Sequence, residues 1–202
     1  MTEQVLCITK DRKWPVGATL DARLAGEFIN HYTDNFLETV FLDRETAGDP
    51  PGKPGQFLQV IPYIIPLEHG TLKPMRYRRT TGGNDSRLHN KWSLGIGGHI
   101  EAEDWANGMT FSQTVNRGIF REIREEFAFD AFLLRSDPVG LVYDPSNSVG
   151  AVHIGLVYFC LVAGVYIVDN DKHERAEFIN LLEENPADYE TWSELLIEEL
   201  KK

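Results

Sequence analysis

Three carboxylates spaced to share one helical turn give this chain its clearest chemical signal. In the run Arg121-Glu122-Ile123-Arg124-Glu125-Glu126-Phe127, the glutamates stand at i, i+3 and i+4. A helix here would bring Glu122, Glu125 and Glu126 to one face. Like charges at that spacing repel, so a fold that gathers them needs a cation to offset the cost. Hard oxygen ligands in this number suit Mg²⁺ or Mn²⁺, which keep several waters and usually share their sites with substrate phosphates. The chemistry indicated is metal-assisted attack of water on phosphorus. The competing reading is an exposed acidic helix with Arg121 and Arg124 as local partners. The upstream run Gly97-Gly98-His99-Ile100-Glu101 favours the metal: glycines there let the backbone approach closely, and a carbonyl could complete the ion's shell.

Together these runs resemble the Nudix box. That family pattern has a glycine, a glutamate six positions later, seven intervening residues, and then an Arg-Glu-aliphatic-X-Glu-Glu core. Arg121 to Phe127 fit the core residue by residue, and Gly97 to Glu101 look like the glycine-rich opening. Two departures stand out. Ala128 and Phe129 replace the pattern's closing glycine and aliphatic residue. Counting from Gly98, the first acidic position falls on Asp104, and 16 residues then precede Arg121 where the family has 7. The excess is a nine-residue insertion, Trp105 to about Gln113. Beside the helix, it could form a lid over the site or cover a dimer seam.

The resemblance implies a Mg²⁺- or Mn²⁺-dependent hydrolase that cleaves the phosphoanhydride bond of a nucleoside-diphosphate-linked substrate. It places metal ligation on Glu125 and Glu126. Glu122 joins them or orients the attacking water, and Gly98 contributes through its backbone. Arg121 would make structural ion pairs, with Asp104 as the candidate partner. Arg78, Arg79, Glu101 and Asp144 are the candidate substrate contacts. Strand alternation sends Arg78 and Arg79 to opposite faces, so one of them at most faces a pocket readily. Asp144, Glu174 and Glu177 compete to be an additional acid, and Asp144 in the turn YDPSN could equally cap that turn. His99 and His153 each read as structural or as a base, the structural role being commoner. Gly118, one turn before Glu122, would leave space above the carboxylates.

Two other functions remain in view. A catalytically silent nucleotide-binding or regulatory protein could keep the fold, although such a sensor has no need of all three glutamates. Isomerisation of isopentenyl diphosphate, also known in the superfamily, wants a pocket cysteine where neither Cys7 nor Cys160 falls.

Composition sets the bounds. A chain of 202 residues, 42% hydrophobic, can bury one substantial core. Its net charge of −11 argues against generic nucleic-acid or anionic-membrane binding. A phosphorylated small molecule would therefore need local cations, and Lys73, Arg76, Arg78, Arg79, Arg87 and Lys91 cluster around one acid, Asp85. The N-terminus does not read as a signal peptide, no long apolar span occurs, and the two cysteines lack metal or redox spacing; a cytoplasmic location is expected. A homodimer is the default oligomer.

The elements that must position the glutamates follow from periodicity. Strands are expected at 3–8, 57–68, 73–79, 92–98, 131–143 and 151–162, with helices over about 21–42, 112–127 and 187–200. The segment 176–184 reads either way. Pro62 and Pro66 point to an edge or bulge for the 57–68 strand. Val115, Ile119, Phe120, Ile123 and Phe127 form the expected packing stripe of the carboxylate helix. This order fits an α/β fold, a Nudix-like α/β/α sandwich around a mixed sheet. The expected division is an N-terminal strand/helix extension, residues 1–55, packed on a hydrolase domain, residues 56–202.

Overall fold

A computed structural model describes residues 3–10, 12–35, 38–48, 56–80, 90–126, 131–163 and 173–202. In chain order these form β1 (Gln4–Thr9), β2 (Gly17–Thr19), α1 (Ala22–Asp34), β3 (Thr39–Asp43), β4 (Phe57–Glu68), β5 (Met75–Arg79), β6 (Trp92–Ser93) and β7 (Ile96–Gly97). Then come α2 (Phe111–Glu126), β8 (Ala131–Leu133), β9 (Gly140–Tyr143), β10 (His153–Val162), β11 (His173–Phe178) and α3 (Thr191–Leu200).

An eight-stranded mixed sheet carries the fold, ordered β2-β9-β10-β4-β1-β3, with β7 added to β4 and β8 to β10. Its axis is the parallel pair β4 and β10, in register from Gln59–His153 to Glu68–Val162. Both strands are almost wholly buried, so both read as unbroken apolar runs. Alternation along β4 sends Leu58, Val60 and Ile64 to one face, where Phe28 and Tyr32 of α1 and Val115 and Ile119 of α2 cover them. Tyr63 and Ile65 face the other way, toward Leu196 and Ile197 of α3. Helices on both faces make an α/β/α sandwich.

Local signals explain the helix starts. The Asp21 carboxylate accepts from the Arg23 and Leu24 amides at 2.8 and 3.2 Å, capping α1. Thr110 and Gln113 make reciprocal side-chain to backbone bonds of 3.2 and 2.9 Å, a capping box that opens α2. From there Phe111, Val115, Ile119 and Ile123 recur every fourth residue and are buried. Phe120 falls off that stripe and is 40% exposed, contrary to expectation; Phe127 lies outside the described residues.

Four further expectations need correcting. The helix expected to reach Leu42 stops at Asp34, and Thr39–Asp43 instead form β3, antiparallel to β1. The β4 strand is central rather than an edge, despite Pro62 and Pro66. Those prolines are four residues apart, so both missing N–H donors lie on one side of the strand and the ladder tolerates them. Residues 92–98 are two short strands in different sheets, β6 and β7. Finally, β5 leaves the main sheet to pair with β11 and β6 in a three-stranded sheet. The ambiguous segment 176–184 begins as strand β11 and continues into a short 3-10 turn, Leu181–Glu183.

Candidate active site

Arg121 is the hub of the carboxylate cluster on α2. Its Nε donates to Asp104 Oδ1 at 3.1 Å, and its Nη2 donates to Asp104 Oδ2 at 2.9 Å and to the His99 carbonyl at 2.7 Å. Its Nη1 donates to Glu122 Oε1 at 2.8 Å and Glu125 Oε2 at 3.2 Å, and lies 3.3 Å from Glu101 Oε1. Burial alone would lower this guanidinium, but the Asp104 bond and the surrounding carboxylates prevail and hold it above its ordinary range. One cation thus faces four carboxylates: Glu101, Asp104, Glu122 and Glu125.

Asp104 sits in a short 3-10 turn and is 2% exposed; its Oδ2 also accepts from the Glu101 amide at 2.9 Å. Asp104 and Arg121 therefore pair across the segment Trp105–Gln113. Gly118 serves Asp104 rather than the glutamates, since a Cβ at 118 would stand 3.1 Å from Asp104 Oδ2. None of the residues Trp105 to Gln113 lines the cavity described below. The α2 end of that segment instead places Phe111 against Phe28 and Tyr32 of α1, ring centroids 6.1 and 5.6 Å apart.

Glu122 is nearly buried and lies directly over Gly98, where a Cβ would come within 2.0 Å of the carboxyl carbon. Glu125 is open to solvent on the next turn. Glu126 lies in α2, but its side chain is outside the described set. Among the described residues no group of three His, Cys, Asp or Glu side chains is arranged to hold a metal ion. The donor chemistry nevertheless fits a hard divalent cation. All these donors are oxygens, the single guanidinium leaves the cluster strongly negative, and Gly98 removes the side chain that would push Glu122 aside.

Gly97, Gly98 and His99 also line a cavity of about 470 Å³ on the α3 face of the sheet. Arg79 and Lys91 bring positive charge to it, and Tyr189 and Trp192 add aromatic surface. Arg78 does not reach the cavity; its Nε lies 3.9 Å from Glu174. Asp144 caps its turn, accepting from the Ser146 amide and Asn147 Nδ2, each at 3.0 Å. Glu177 pairs with Arg76 at 2.7 Å. His99 and His153 both line the cavity, with ring centroids 5.6 Å apart, and His153 Nδ1 lies 2.8 Å from the Val149 carbonyl.

Tyr63, Glu190 and Trp192 belong to this cavity, and the sequence reading missed them. The Tyr63 hydroxyl donates to Glu190 Oε1 at 2.6 Å and accepts from the Gly95 amide at 3.1 Å. Glu190 in turn caps α3, accepting from the Trp192 and Ser193 amides at 3.0 Å. Burial, reinforced by Glu190, pushes the Tyr63 phenol well above its ordinary value. This bond chain ties α3 to Gly95, just ahead of β7 and Gly98. Its only sequence trace was a tyrosine in the apolar run 57–68 and a tryptophan in the expected helix 187–200.

The chain is 33% identical to Protein YmaB of Bacillus subtilis over 161 residues, which span 76% of each protein. The chain belongs to the YmaB family. No protein-family model matches it. Its structure resembles the crystal structure of Tm1382, described as a candidate Nudix hydrolase, with a TM-score of 0.76 over 98% of both chains and 24% identity. The chain therefore has the Nudix fold. None of its described helices is long and apolar enough to cross a membrane.

Proposed function

We propose that this YmaB relative is a Nudix-type hydrolase that cleaves the phosphoanhydride bond of a nucleoside-diphosphate-linked substrate with Mg²⁺ or Mn²⁺. The observation that carries the reading is the position of Gly98. Its one face lies against the Glu122 carboxylate and its neighbourhood opens into the cavity that holds Arg79 and Lys91. A phosphate seated there would lie between the Arg79 and Lys91 cations and the carboxylates of α2.

Glu122, Glu125 and Glu126, with the Gly98 backbone, would hold the ion. When bound, it lowers the pKa of water and screens the charge that repels a nucleophile from phosphate. The chain's own residues do the rest. Arg121 holds Glu122 and Glu125 in place, and Asp104 fixes Arg121. Arg79 and Lys91 attract the substrate phosphates, and a guanidinium can grip one bidentately. Trp192 and Tyr189 offer surface to the remainder of the substrate.

The test is the appearance of nucleoside monophosphate and the phosphorylated X group, the two products of that cleavage, from a panel of nucleoside-diphosphate-linked compounds with Mg²⁺ or Mn²⁺, comparing wild type with Glu126→Gln and Glu122→Gln. Metal-dependent turnover that both variants lose establishes the hydrolase and identifies its substrate class. A wild type that binds nucleotide and metal yet releases nothing across the panel overturns the reading in favour of a sensor.

A further inference from the structure

A second concavity lies away from the carboxylates, where the segment after β1 crosses the outer side of α1. It is an open groove of about 670 Å³, lined by Arg12, Lys13 and Trp14 together with Leu24, Glu27, Asn30 and His31. Residues 24, 27, 30 and 31 recur at helical spacing, so α1 presents them as one surface. The groove is on the opposite side of the sheet from the cavity. Trp14 packs with the cluster that contains Leu58, Val60 and Ile64, whereas Ile61 and Tyr63 line the cavity.

Charge is what distinguishes the groove. The protein is strongly acidic, yet Arg12 and Lys13 are exposed and form no ion pair among the described residues. The groove's own acid, Glu27, is taken by Arg23 at 3.1 Å. His31 is paired with Glu38 at 2.7 Å, just beyond the lining. Among the described residues these two positive charges have no counter-charge, and the residues on either side of them are held. Lys10 is held through a bond from Nζ to the Ala151 carbonyl and from its amide to the Gln56 carbonyl. Trp14 is held against Phe28, ring centroids 4.8 Å apart.

Trp14 adds a second, independent feature. The Arg12 guanidinium stands 5.6 Å from the indole centroid, so cation and ring form one surface. The indole nitrogen itself is buried within the protein, so the ring offers the groove its exposed surface rather than its N–H. Adjacent exposed cations beside a partly exposed aromatic surface match a phosphate ester with a flat aromatic body.

We propose that the Trp14 groove is a second binding site, for a small phosphorylated nucleoside. Arg12 and Lys13 take the phosphate, and Trp14 and Asn30 meet the nucleoside. This site is separate from the proposed hydrolytic one and stands or falls without it.

The test follows the Trp14 indole N–H resonance, identified by its loss in Trp14→Phe, during titration with ADP in the presence of a chelator. The expected result is a saturable shift. It weakens about tenfold or more in the Arg12→Glu/Lys13→Glu double variant, whose two positions are exposed and leave the rest of the spectrum in place. The shift persists in Lys91→Glu, which alters only the cavity. Adenosine without phosphate shifts the resonance far less. The proposal is overturned if ADP leaves the resonance unmoved, if the double variant binds as wild type does, if adenosine matches ADP, or if Lys91→Glu abolishes the shift and so places the ADP in the cavity.

Discussion

Gly98 lies so close beneath Glu122 that a methyl group on residue 98 would stand 2.0 Å from the carboxyl carbon and 2.1 Å from Oε2. The glutamate is nearly buried and bonded to Arg121, so it cannot swing aside without breaking that pair. Replacing Gly98 with alanine therefore displaces the carboxylate. A displacement on this scale costs on the order of 10²-fold in rate where positioning governs catalysis. The expected outcome for Gly98→Ala is a loss of about that size in kcat/KM. Gly97→Ala, whose Cβ would meet the Pro62 carbonyl at 3.1 Å, should lose much less. Steady-state kinetics on the substrate found in the panel decides it.

The Asp104–Arg121 pair predicts a stability effect. The Asp104 side chain is 3% exposed and that of Arg121 20%. Glu101, Glu122 and Glu125 still compensate Arg121 when the Asp104 charge is removed, so what is lost is the charge assistance of its hydrogen bonds, about 1.5–3 kcal/mol. Asp104→Asn should lower the free energy of unfolding by about that amount in a denaturant titration. Arg121→Lys should also be costly, because an ammonium cannot reproduce the guanidinium bonds to Asp104, His99 and Glu122. An Asp104→Asn protein as stable as wild type would mean that the pair is ornamental.

Much of the site was legible because its signal is local. Glu122, Glu125 and Glu126 are near neighbours in the chain, and α2 announces itself by its apolar stripe. The Asp104–Arg121 pair spans the insertion, and counting from Gly98 still found it. What escaped was set by distant contacts. Tyr63 and Glu190 meet only because α3 folds back over β4. β3 was hidden because Val40 and Leu42 continue an apolar pattern that α1 had already begun, and pattern alone cannot locate the break. β5 changed sheets because its partner, β11, comes about a hundred residues later.

Cys7 and Cys160 give a pH prediction. Burial pushes each thiol from an ordinary value of 9.0 up to about 12. A raised value means that the folded state keeps its proton where the unfolded chain gives it up. The stabilisation is complete below about 9 and is lost as pH rises toward about 12. The denaturation midpoint should fall across that window, and a Cys7→Ala/Cys160→Ala double variant should show a shallower alkaline fall. At pH near 8 a thiol reagent should label native protein hardly at all and unfolded protein at both positions. Rapid labelling of the native protein would contradict this.

The pairing of β4 with β10 has a consequence for how the protein is made. Gln59 must wait for His153, and Glu68 for Val162, so β4 leaves the ribosome long before its principal partner exists. In that interval a twelve-residue apolar strand has unsatisfied edges, the kind of template on which nascent chains associate. Pro62 and Pro66 each withhold an amide from one side of that strand, so a passing chain cannot zip along it without interruption. Replacing both with valine would suit the finished sheet and yet yield more aggregate during synthesis. On this view the two prolines that disguise the strand's central place are its safeguard before the sheet closes.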